Sequence, residues 1–312
     1  MLKDALIFLS QSSTARRFVQ NAPGARSMAR RFVAGETIDD GIRACRELNR
    51  LGMSTTLDLL GEAVNRREEA TAAADIYLRV IDLLAAEKLD GNVSLKLTQM
   101  GQDIDEDFLH QNVLRIVERA ARHDMFVRLD MEASTHTQRT LDFFRRLWSE
   151  GHRNIGVVIQ SYLRRSKGDI EQLNSEKVRV RLCKGAYNEP ESVAFQDKRT
   201  VDENFVRLMQ LLLEHGNYPG IATHDEQMIR ATRDFARQRQ IDASRFEFQM
   251  LYGVRRDLQQ ALVRAGYRMR VYVPFGEAWY PYLMRRMAER PANLLFILNA
   301  IVRESPFGRL GR

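Results

Sequence analysis

The pattern of apolar and polar positions along the chain changes near residue 53. Before that residue the spacing of apolar positions predicts helices only, and after it short apolar runs, partly β-branched, alternate with longer amphipathic segments. We predict eight strands, at Ser54 to Leu60, Asn92 to Leu97, Met125 to Met131, Ile155 to Gln160, Val178 to Cys183, Pro219 to Thr223, Phe246 to Met250 and Met269 to Val273.

The predicted helices follow the same pattern. The segment before residue 53 contains three, at Leu2 to Gln20, Ala25 to Val33 and Ile38 to Leu51, and Thr37 is a suitable N-cap for the last. Most of the strands precede a helix, including those at Asp105 to His123, Thr135 to Trp148, Val201 to His215, Glu226 to Gln240, Asp257 to Ala265 and Tyr280 to Ile301.

Consecutive strand–helix units define the expected fold class. Eight such units over about 250 residues, with no linker rich in Gly or Pro, favour one closed (βα)8 barrel of the TIM type over two doubly wound sheets. We therefore predict an α/β protein with an N-terminal helical arm over residues 1–52 and a barrel over residues 53–312.

Composition excludes several classes of site. The two cysteines, Cys45 and Cys183, form no CxxC pair, and the six histidines form no HxH or HExxH pair. We expect neither a disulfide framework nor a metal site. The sequence also has no GxGxxG after the first strand and no GxxxxGK[ST] motif, so residues of the barrel must hold any nucleotide cofactor.

Hydropathy and charge indicate the compartment and the partners. The longest apolar stretches fall short of the roughly 20 residues that cross a bilayer, and residues 1–20 do not have the pattern of a signal peptide. We expect a cytoplasmic protein. The formal net charge is +7, but the arginines are spread over many helix faces and accompany no nucleic-acid module, so no nucleic-acid partner is expected.

Polar residues cluster where the predicted strands end. In a (βα)8 barrel the active site lies at the C-terminal ends of the strands. The residues at these positions are Asp58, Lys96, Thr98, Asp130, Glu132, Gln160, Arg181, Lys184, Thr223, His224, Asp225, Gln249 and Tyr272. Buried charges are costly unless paired, so this set indicates either a ligand with several charges or a salt-bridge network without chemistry.

The predicted helix after the eighth strand carries Arg285 and Arg286. Adjacent helical residues point about 100° apart, so both guanidinium groups reach one carboxylate only if the helix lies across the barrel mouth. An Arg-Arg step is more often solvated surface. Three nearby tyrosines, Tyr272, Tyr280 and Tyr282, favour a cavity that holds a small ring.

Eight runs in order resemble the proline dehydrogenase family in its short monofunctional bacterial form. They are Leu57-Asp58-Leu59-Leu60-Gly61-Glu62, Val93-Ser94-Leu95-Lys96-Leu97-Thr98, Arg128-Leu129-Asp130-Met131-Glu132, Gln160-Ser161-Tyr162-Leu163, Lys184-Gly185-Ala186-Tyr187, Ala222-Thr223-His224-Asp225, Phe246-Glu247-Phe248-Gln249-Met250-Leu251-Tyr252-Gly253 and Tyr282 to Pro291. The resemblance covers nearly the whole chain. Ala133, Cys183 and Phe275 depart from the family pattern, and none of them removes a charge assigned below.

The resemblance implies FAD, bound without a covalent link at the barrel mouth, and a set of residue roles. Asp130 and Arg181 would be catalytic. The cofactor contacts would be Met131, Gln160, Lys184, Gly185, Ala186, Thr223, His224 and Gln249. The substrate contacts would be Lys96, Tyr272, Tyr282, Arg285 and Arg286, with the two arginines on the carboxylate.

The resemblance also implies the reaction and its partners. L-Proline would be oxidised to 1-pyrroline-5-carboxylate by hydride transfer from C5 to the flavin N5 atom. A membrane quinone would take the electrons, with peripheral contact at the inner face of the cytoplasmic membrane. A separate pyrroline-5-carboxylate dehydrogenase would take the product.

Two other readings of the same residues stay open at this point. One is a barrel aldolase that forms a Schiff base with Lys96 or Lys184. The other is a basic scaffold without catalysis that binds nucleic acid or a membrane surface.

Overall fold

The computed structural model describes residues 30–61 and 63–289. The strands are β1 (Ser54–Leu59), β2 (Gly91–Leu95), β3 (Val127–Leu129), β4 (Ile155–Gln160), β5 (Arg179–Cys183), β6 (Gly220–Ala222), β7 (Glu247–Leu251) and β8 (Met269–Phe275). The helices are α1 (Ile38–Arg50), α2 (Arg67–Ala86), α3 (Glu106–Ala121), α4 (Ser134–Ser149), α5 (Ser166–Ser175), α6 (Lys198–His215), α7 (Glu226–Gln238), α8 (Arg256–Arg264) and α9 (Trp279–Glu289). A short 3-10 helix, Ala243–Arg245, precedes β7.

The eight strands form one closed parallel barrel in sequence order. Strand β8 closes it by pairing with β1, from Ser54 opposite Arg270 to Leu59 opposite Phe275. The predicted (βα)8 fold class is therefore confirmed. Strand β3 is shorter than predicted, although the backbone N–H of Asp130 beyond its end still donates to the Leu95 carbonyl oxygen at 2.9 Å.

The hydrophobic core lies between the barrel and the helices around it. Fully buried side chains from strands and helices, such as Leu57, Tyr77 and Phe144, belong to one continuous cluster. Helix α1 packs on β1 and β8, where Gly41 comes so close that a β-carbon would lie 2.8 Å from Leu57 Cδ2. Burial of this apolar surface is the main stabilising contribution to such a fold.

Thr37 caps helix α1 as predicted. Its Oγ1 atom accepts a hydrogen bond from the Asp40 backbone N–H at 3.2 Å, and the Asp40 carboxylate accepts one from the Thr37 backbone N–H at 3.1 Å. This reciprocal pair is a capping box, which satisfies two N–H groups that the first turn of a helix leaves free.

Several predicted segments fall outside the described residues. These are the helix at Leu2 to Gln20, most of that at Ala25 to Val33, and the part of Tyr280 to Ile301 that follows α9. The division into an arm over residues 1–52 and a barrel over residues 53–312 stays a prediction. Within the described ranges, every helix is too short or too polar to cross a membrane.

Candidate active site

Polar side chains from non-neighbouring strands meet inside the barrel. Tyr272 on β8 donates through its hydroxyl to Asp130 Oδ2, just beyond β3, at 2.6 Å. The Nε atom of Arg181 on β5 donates to Gln249 Oε1 on β7 at 2.8 Å. Contacts between strands that are not neighbours cross the barrel interior, so these four residues point inward, as their position at the strand ends predicts.

Lys96 lies between two carboxylates at the mouth. Its Nζ atom is 2.6 Å from Asp58 Oδ1 and 4.0 Å from Asp130 Oδ2. Burial alone lowers the pKa of Lys96, but the two carboxylates outweigh burial and raise this pKa. Burial and the neighbouring Asp130 raise the pKa of Asp58, against the effect of Lys96. The amine is thus a fixed cation, which disfavours its use as a Schiff-base nucleophile.

Asp130 is held by donors on both of its oxygens. Ser94 Oγ donates to Oδ1 at 2.7 Å, and the Tyr272 hydroxyl donates to Oδ2. Burial, followed by the charges of Asp130 and Asp58, raises the pKa of Tyr272 well above its usual value. Tyr272 therefore stays a neutral hydroxyl donor, and the Asp130 carboxylate has one orientation.

Only one of the guanidinium nitrogens of Arg181, Nε, donates a hydrogen bond to a described residue. Its Nε atom is bonded to Gln249, and its Cζ atom lies 5.4 Å from the centre of the Tyr272 ring. Among the described residues, its two Nη atoms make no hydrogen bond. A planar cation with free donors suits an electron-rich ring or an anionic ligand.

Gln160 presents a hydrogen-bond acceptor to a ligand, whereas Arg181 presents donors. Its Nε2 atom donates to the carbonyl oxygens of Met131, at 3.0 Å, and Glu132, at 3.3 Å. Its Oε1 atom is buried and has no partner among the described residues. A buried acceptor without a donor is costly unless a ligand supplies the donor. Together with the free donors of Arg181, this acceptor fits a flavin ring, which carries both carbonyl oxygens and a ring N–H.

The loop after β5 approaches Tyr162 closely. Gly185 has a φ of +107°, and a β-carbon there would lie 2.3 Å from the Tyr162 ring, so only glycine fits. Ala186, the next residue, is exposed. The backbone of this loop is therefore open to a ligand at the mouth, as the predicted cofactor contacts require.

Lys184 lies between Asp202 and Asp225, with its Nζ atom 2.5 and 2.8 Å from their carboxylate oxygens. Burial raises the pKa of Asp225, but its bonds with Lys184 and other groups lower it below the usual value. Thr223 Oγ1 accepts from the Asp225 backbone N–H at 3.1 Å. His224 Nε2 accepts from the Leu251 backbone N–H at 2.9 Å, so this nitrogen carries no proton. Lys184, Asp202, Asp225 and Thr223 thus form one connected group, and His224 is held separately by β7.

The substrate residues predicted on the last helix are described only in part. Tyr282 lies in α9 and is buried. Arg285 and Arg286 belong to the same helix, but their side chains lie outside the described part of the chain. Trp279, the first residue of α9, donates through Nε1 to Glu36 at 3.0 Å and so ties the helix to the segment before α1.

Three residues of the interior network, Ser94, Glu247 and Arg270, were not predicted as site residues. Each lies two positions before a residue that was predicted: Lys96, Gln249 and Tyr272. Strand residues two apart share a face, so the period-2 pattern alone contained this signal. The site residues were predicted from the C-terminal ends of the strands, and these three lie one layer deeper in the barrel interior. In the parts of the chain that the structure describes, no group of three or more His, Cys, Asp or Glu side chains could hold a metal ion.

The barrel and its charged mouth define a (βα)8 enzyme of the kind that binds a small charged ligand beside a ring cofactor. Residues 41–298 match the sequence model of the family described as Proline dehydrogenase. The chain belongs to this family of flavin-dependent oxidoreductases.

Several named proteins share this similarity. Proline dehydrogenase 1 of Bacillus subtilis subsp. natto is 43% identical over 97% of this chain and 100% of its own length. Proline dehydrogenase of Deinococcus radiodurans is 43% identical over 89% of this chain and 91% of its own. The crystal structure of proline utilization A from Bdellovibrio bacteriovorus inactivated by N-propargylglycine has a TM-score of 0.81 and 28% identity. It covers 95% of this chain, which spans only 36% of that longer one.

Proposed function

We propose that the protein oxidises L-proline to 1-pyrroline-5-carboxylate, the first step of proline catabolism to glutamate, with FAD held without a covalent link at the barrel mouth. The observation that carries the proposal is the convergence of Lys96, Arg181 and the Tyr272–Asp130 pair inside one barrel. The same barrel presents, at the end of β4, the Gln160 acceptor, which has no partner among the described residues. Such a set provides cations that can bind the carboxylate of the substrate and hydrogen-bond donors that can bind the ring of the cofactor.

Eight residues would hold the cofactor: Met131, Gln160, Lys184, Gly185, Ala186, Thr223, His224 and Gln249. Support comes from the Gln160 acceptor, which has no partner among the described residues, and from the backbone at Gly185, a residue that has no side chain of its own. When bound, the flavin would supply the hydride acceptor for the oxidation of proline. Arg181, whose Nη atoms are uncommitted among the described residues, would lie beside the ring and favour negative charge on it.

Five residues would enclose proline: Lys96, Tyr272, Tyr282, Arg285 and Arg286. Lys96 is a permanent cation, so it attracts the carboxylate and disfavours a second positive charge on the substrate nitrogen. Asp130, fixed by Ser94 and Tyr272, would keep Lys96 and the ring of Tyr272 in place. The two arginines would bind the carboxylate through their guanidinium forks.

The same proposal includes how the reduced flavin is reoxidised and which enzyme consumes the pyrroline-5-carboxylate. We propose a membrane quinone as the electron acceptor, reached by peripheral contact with the inner face of the cytoplasmic membrane. A separate pyrroline-5-carboxylate dehydrogenase would consume the product. Sedimentation with anionic vesicles that contain a quinone, and proline-dependent reduction of that quinone, would test this part. Activity with the quinone only in detergent solution would contradict membrane contact.

The test of the reaction is turnover of L-proline with an artificial dye as acceptor, with the cyclic imine product trapped by o-aminobenzaldehyde. Replacing Arg285→Met or Arg286→Met removes charged hydrogen bonds worth about 1.5–3 kcal/mol each, so KM for proline should rise roughly 10- to 150-fold while flavin stays bound. Arg264→Met, an exposed arginine at the end of α8, is the matched control and should leave KM unchanged. An unaltered KM in both test variants would remove the arginine pair from the site.

A further inference from the structure

Glu247 lies inside the barrel, one layer below the proposed flavin site. It is the first residue of β7, is 3% exposed, and precedes Gln249 by two positions, about 6.6 Å along the strand. Both side chains point into the barrel because residues two apart share a face. Glu247 is therefore too deep to reach a ligand at the mouth and can act there only through a neighbour.

The Glu247 carboxylate accepts three hydrogen bonds. Its Oε1 atom accepts from Arg270 Nε at 2.7 Å and from Gln249 Nε2 at 2.6 Å, and its Oε2 atom accepts from the Tyr218 hydroxyl at 3.1 Å. Burial raises the pKa of Glu247, but the charge and hydrogen bond of Arg270 and the hydrogen bond from Gln249 outweigh burial and lower it. The group is thus an anion that can accept hydrogen bonds and cannot donate them.

This anion fixes the orientation of the Gln249 amide. Its NH2 group must face Glu247, so its oxygen faces Arg181 and accepts the Nε–H at 2.8 Å. The reversed amide would place two acceptors together at Glu247 and two donors together at Arg181. The amide also packs on Gly220, where a β-carbon would lie 2.5 Å from Gln249 Nε2.

Arg181 is in turn held on two sides. Gln249 accepts from its Nε atom, and the Tyr272 ring lies 5.4 Å from its Cζ atom. These contacts leave its Nη donors for a ligand. We propose that Glu247 is a positioning residue: it orients the Gln249 amide, which orients the Arg181 guanidinium toward the cofactor. The inference rests on the proposed function, because it assumes that Arg181 acts on a bound flavin.

A double-mutant cycle in the full-length holoenzyme tests this chain of contacts. The variants are Glu247→Met, Gln249→Met and the pair together, and the measurement is the anaerobic rate of flavin reduction by L-proline in a stopped-flow instrument. Each single change should lower the rate roughly tenfold, and the pair should lower it no further than about tenfold, because both act through Arg181. The proline concentration at half saturation should change less than about threefold in all three variants, because neither residue is proposed to contact proline. Additive losses, roughly a hundredfold for the pair, would overturn the proposal.

Two further variants keep the test decisive if Glu247→Met does not fold. Glu247→Gln keeps an acceptor for Gln249 at the same place, so its rate of flavin reduction should lie within about threefold of that of the unaltered protein. Gly220→Ala leaves Glu247 and Arg270 paired but pushes on the Gln249 amide, and it should slow flavin reduction like Gln249→Met while flavin stays bound. A normal rate in Gly220→Ala, or a rate in Glu247→Gln as low as in Gln249→Met, would contradict the proposal.

The control breaks a more exposed ion pair outside the barrel. Glu87 accepts from Arg46 Nε and Nη2 at 3.0 and 2.7 Å, between the ends of α1 and α2, and Glu87→Met should leave the reduction rate unchanged. A loss of rate in this variant equal to that of Glu247→Met would show that broken pairs act through general destabilisation, against the proposal. If L-proline does not bleach the flavin of the unaltered protein, the proposed function fails instead, and the two failures are distinguishable.

Discussion

At the scale of single residues, the mouth combines a cation that stays charged with a phenol that stays neutral. The pKa of Lys96 is raised above 10.5 and that of Tyr272 well above 10.0, their ordinary values, so neither group titrates near neutral pH. The Lys96 side chain is 18% exposed and that of Asp58 only 2%, so water screens this pair weakly. In the proposed reaction the amine of bound proline must lose its proton before hydride transfer, so this amine should set the pH dependence.

The rate of flavin reduction should therefore rise with pH along one limb. Below the pKa of the bound amine most of the substrate is protonated and cannot release hydride, so each lower pH unit should cost about tenfold in rate. Tyr272→Phe should lower the rate but leave the position of the limb unchanged, because Tyr272 does not titrate there. Stopped-flow measurements from pH 6 to pH 10, roughly the range around the amine, would show this. A flat profile, or a limb displaced in Tyr272→Phe, would contradict the assignment.

At the scale of elements, the sequence pattern predicted every strand and most of the helices that follow them. The alternation of apolar positions identified strands such as β4, and Thr37 identified the start of α1, because both signals are local. Partners inside the barrel could not be predicted in this way. The bond from Arg181 to Gln249 joins residues 68 positions apart, and only the closure of the barrel brings them together.

Tyr77 shows how a helix is fastened to the strands. It lies in α2, is fully buried, and its hydroxyl accepts from the Leu59 backbone N–H at 3.1 Å and donates to the Ser94 carbonyl oxygen at 2.8 Å. Tyr77→Phe leaves both backbone groups without this partner and should lower the free energy of unfolding by about 1–3 kcal/mol, measured by denaturant titration. The control is Tyr267→Phe, whose hydroxyl has no hydrogen bond among the described residues, and it should change stability by less than about 0.5 kcal/mol. Equal effects of the two variants would count against this role of Tyr77.

At the scale of the whole molecule, a polar column runs through the barrel from Tyr218 to Lys96. It passes from Tyr218 to Glu247, Gln249 and Arg181, then by the Tyr272 ring to Asp130 and Lys96. Gln249 and the members above it were predicted as site residues. Tyr218 and Glu247 were not predicted, because they lie deeper than the strand ends from which the site residues were inferred. The column gives the barrel a rigid base for a ligand, at the cost of buried charge.

A ligand that binds only the folded barrel should stabilise the whole molecule. FAD added to the flavin-free protein at a hundred times its dissociation constant should raise the free energy of unfolding by about 2.7 kcal/mol. Thermal unfolding with and without FAD measures this effect. NAD, which shares the ADP part of FAD but lacks the flavin ring, is the control and should give a smaller shift at equal concentration. An unchanged midpoint with FAD would argue against a flavin site in the barrel.

The most direct test of the central claim is anaerobic titration of the purified protein with L-proline, followed by visible absorption. The account predicts a yellow protein whose flavin absorption is bleached by proline, with one proline consumed for each flavin reduced. A colourless protein that binds no added FAD, or a bound flavin that proline leaves oxidised, would contradict it.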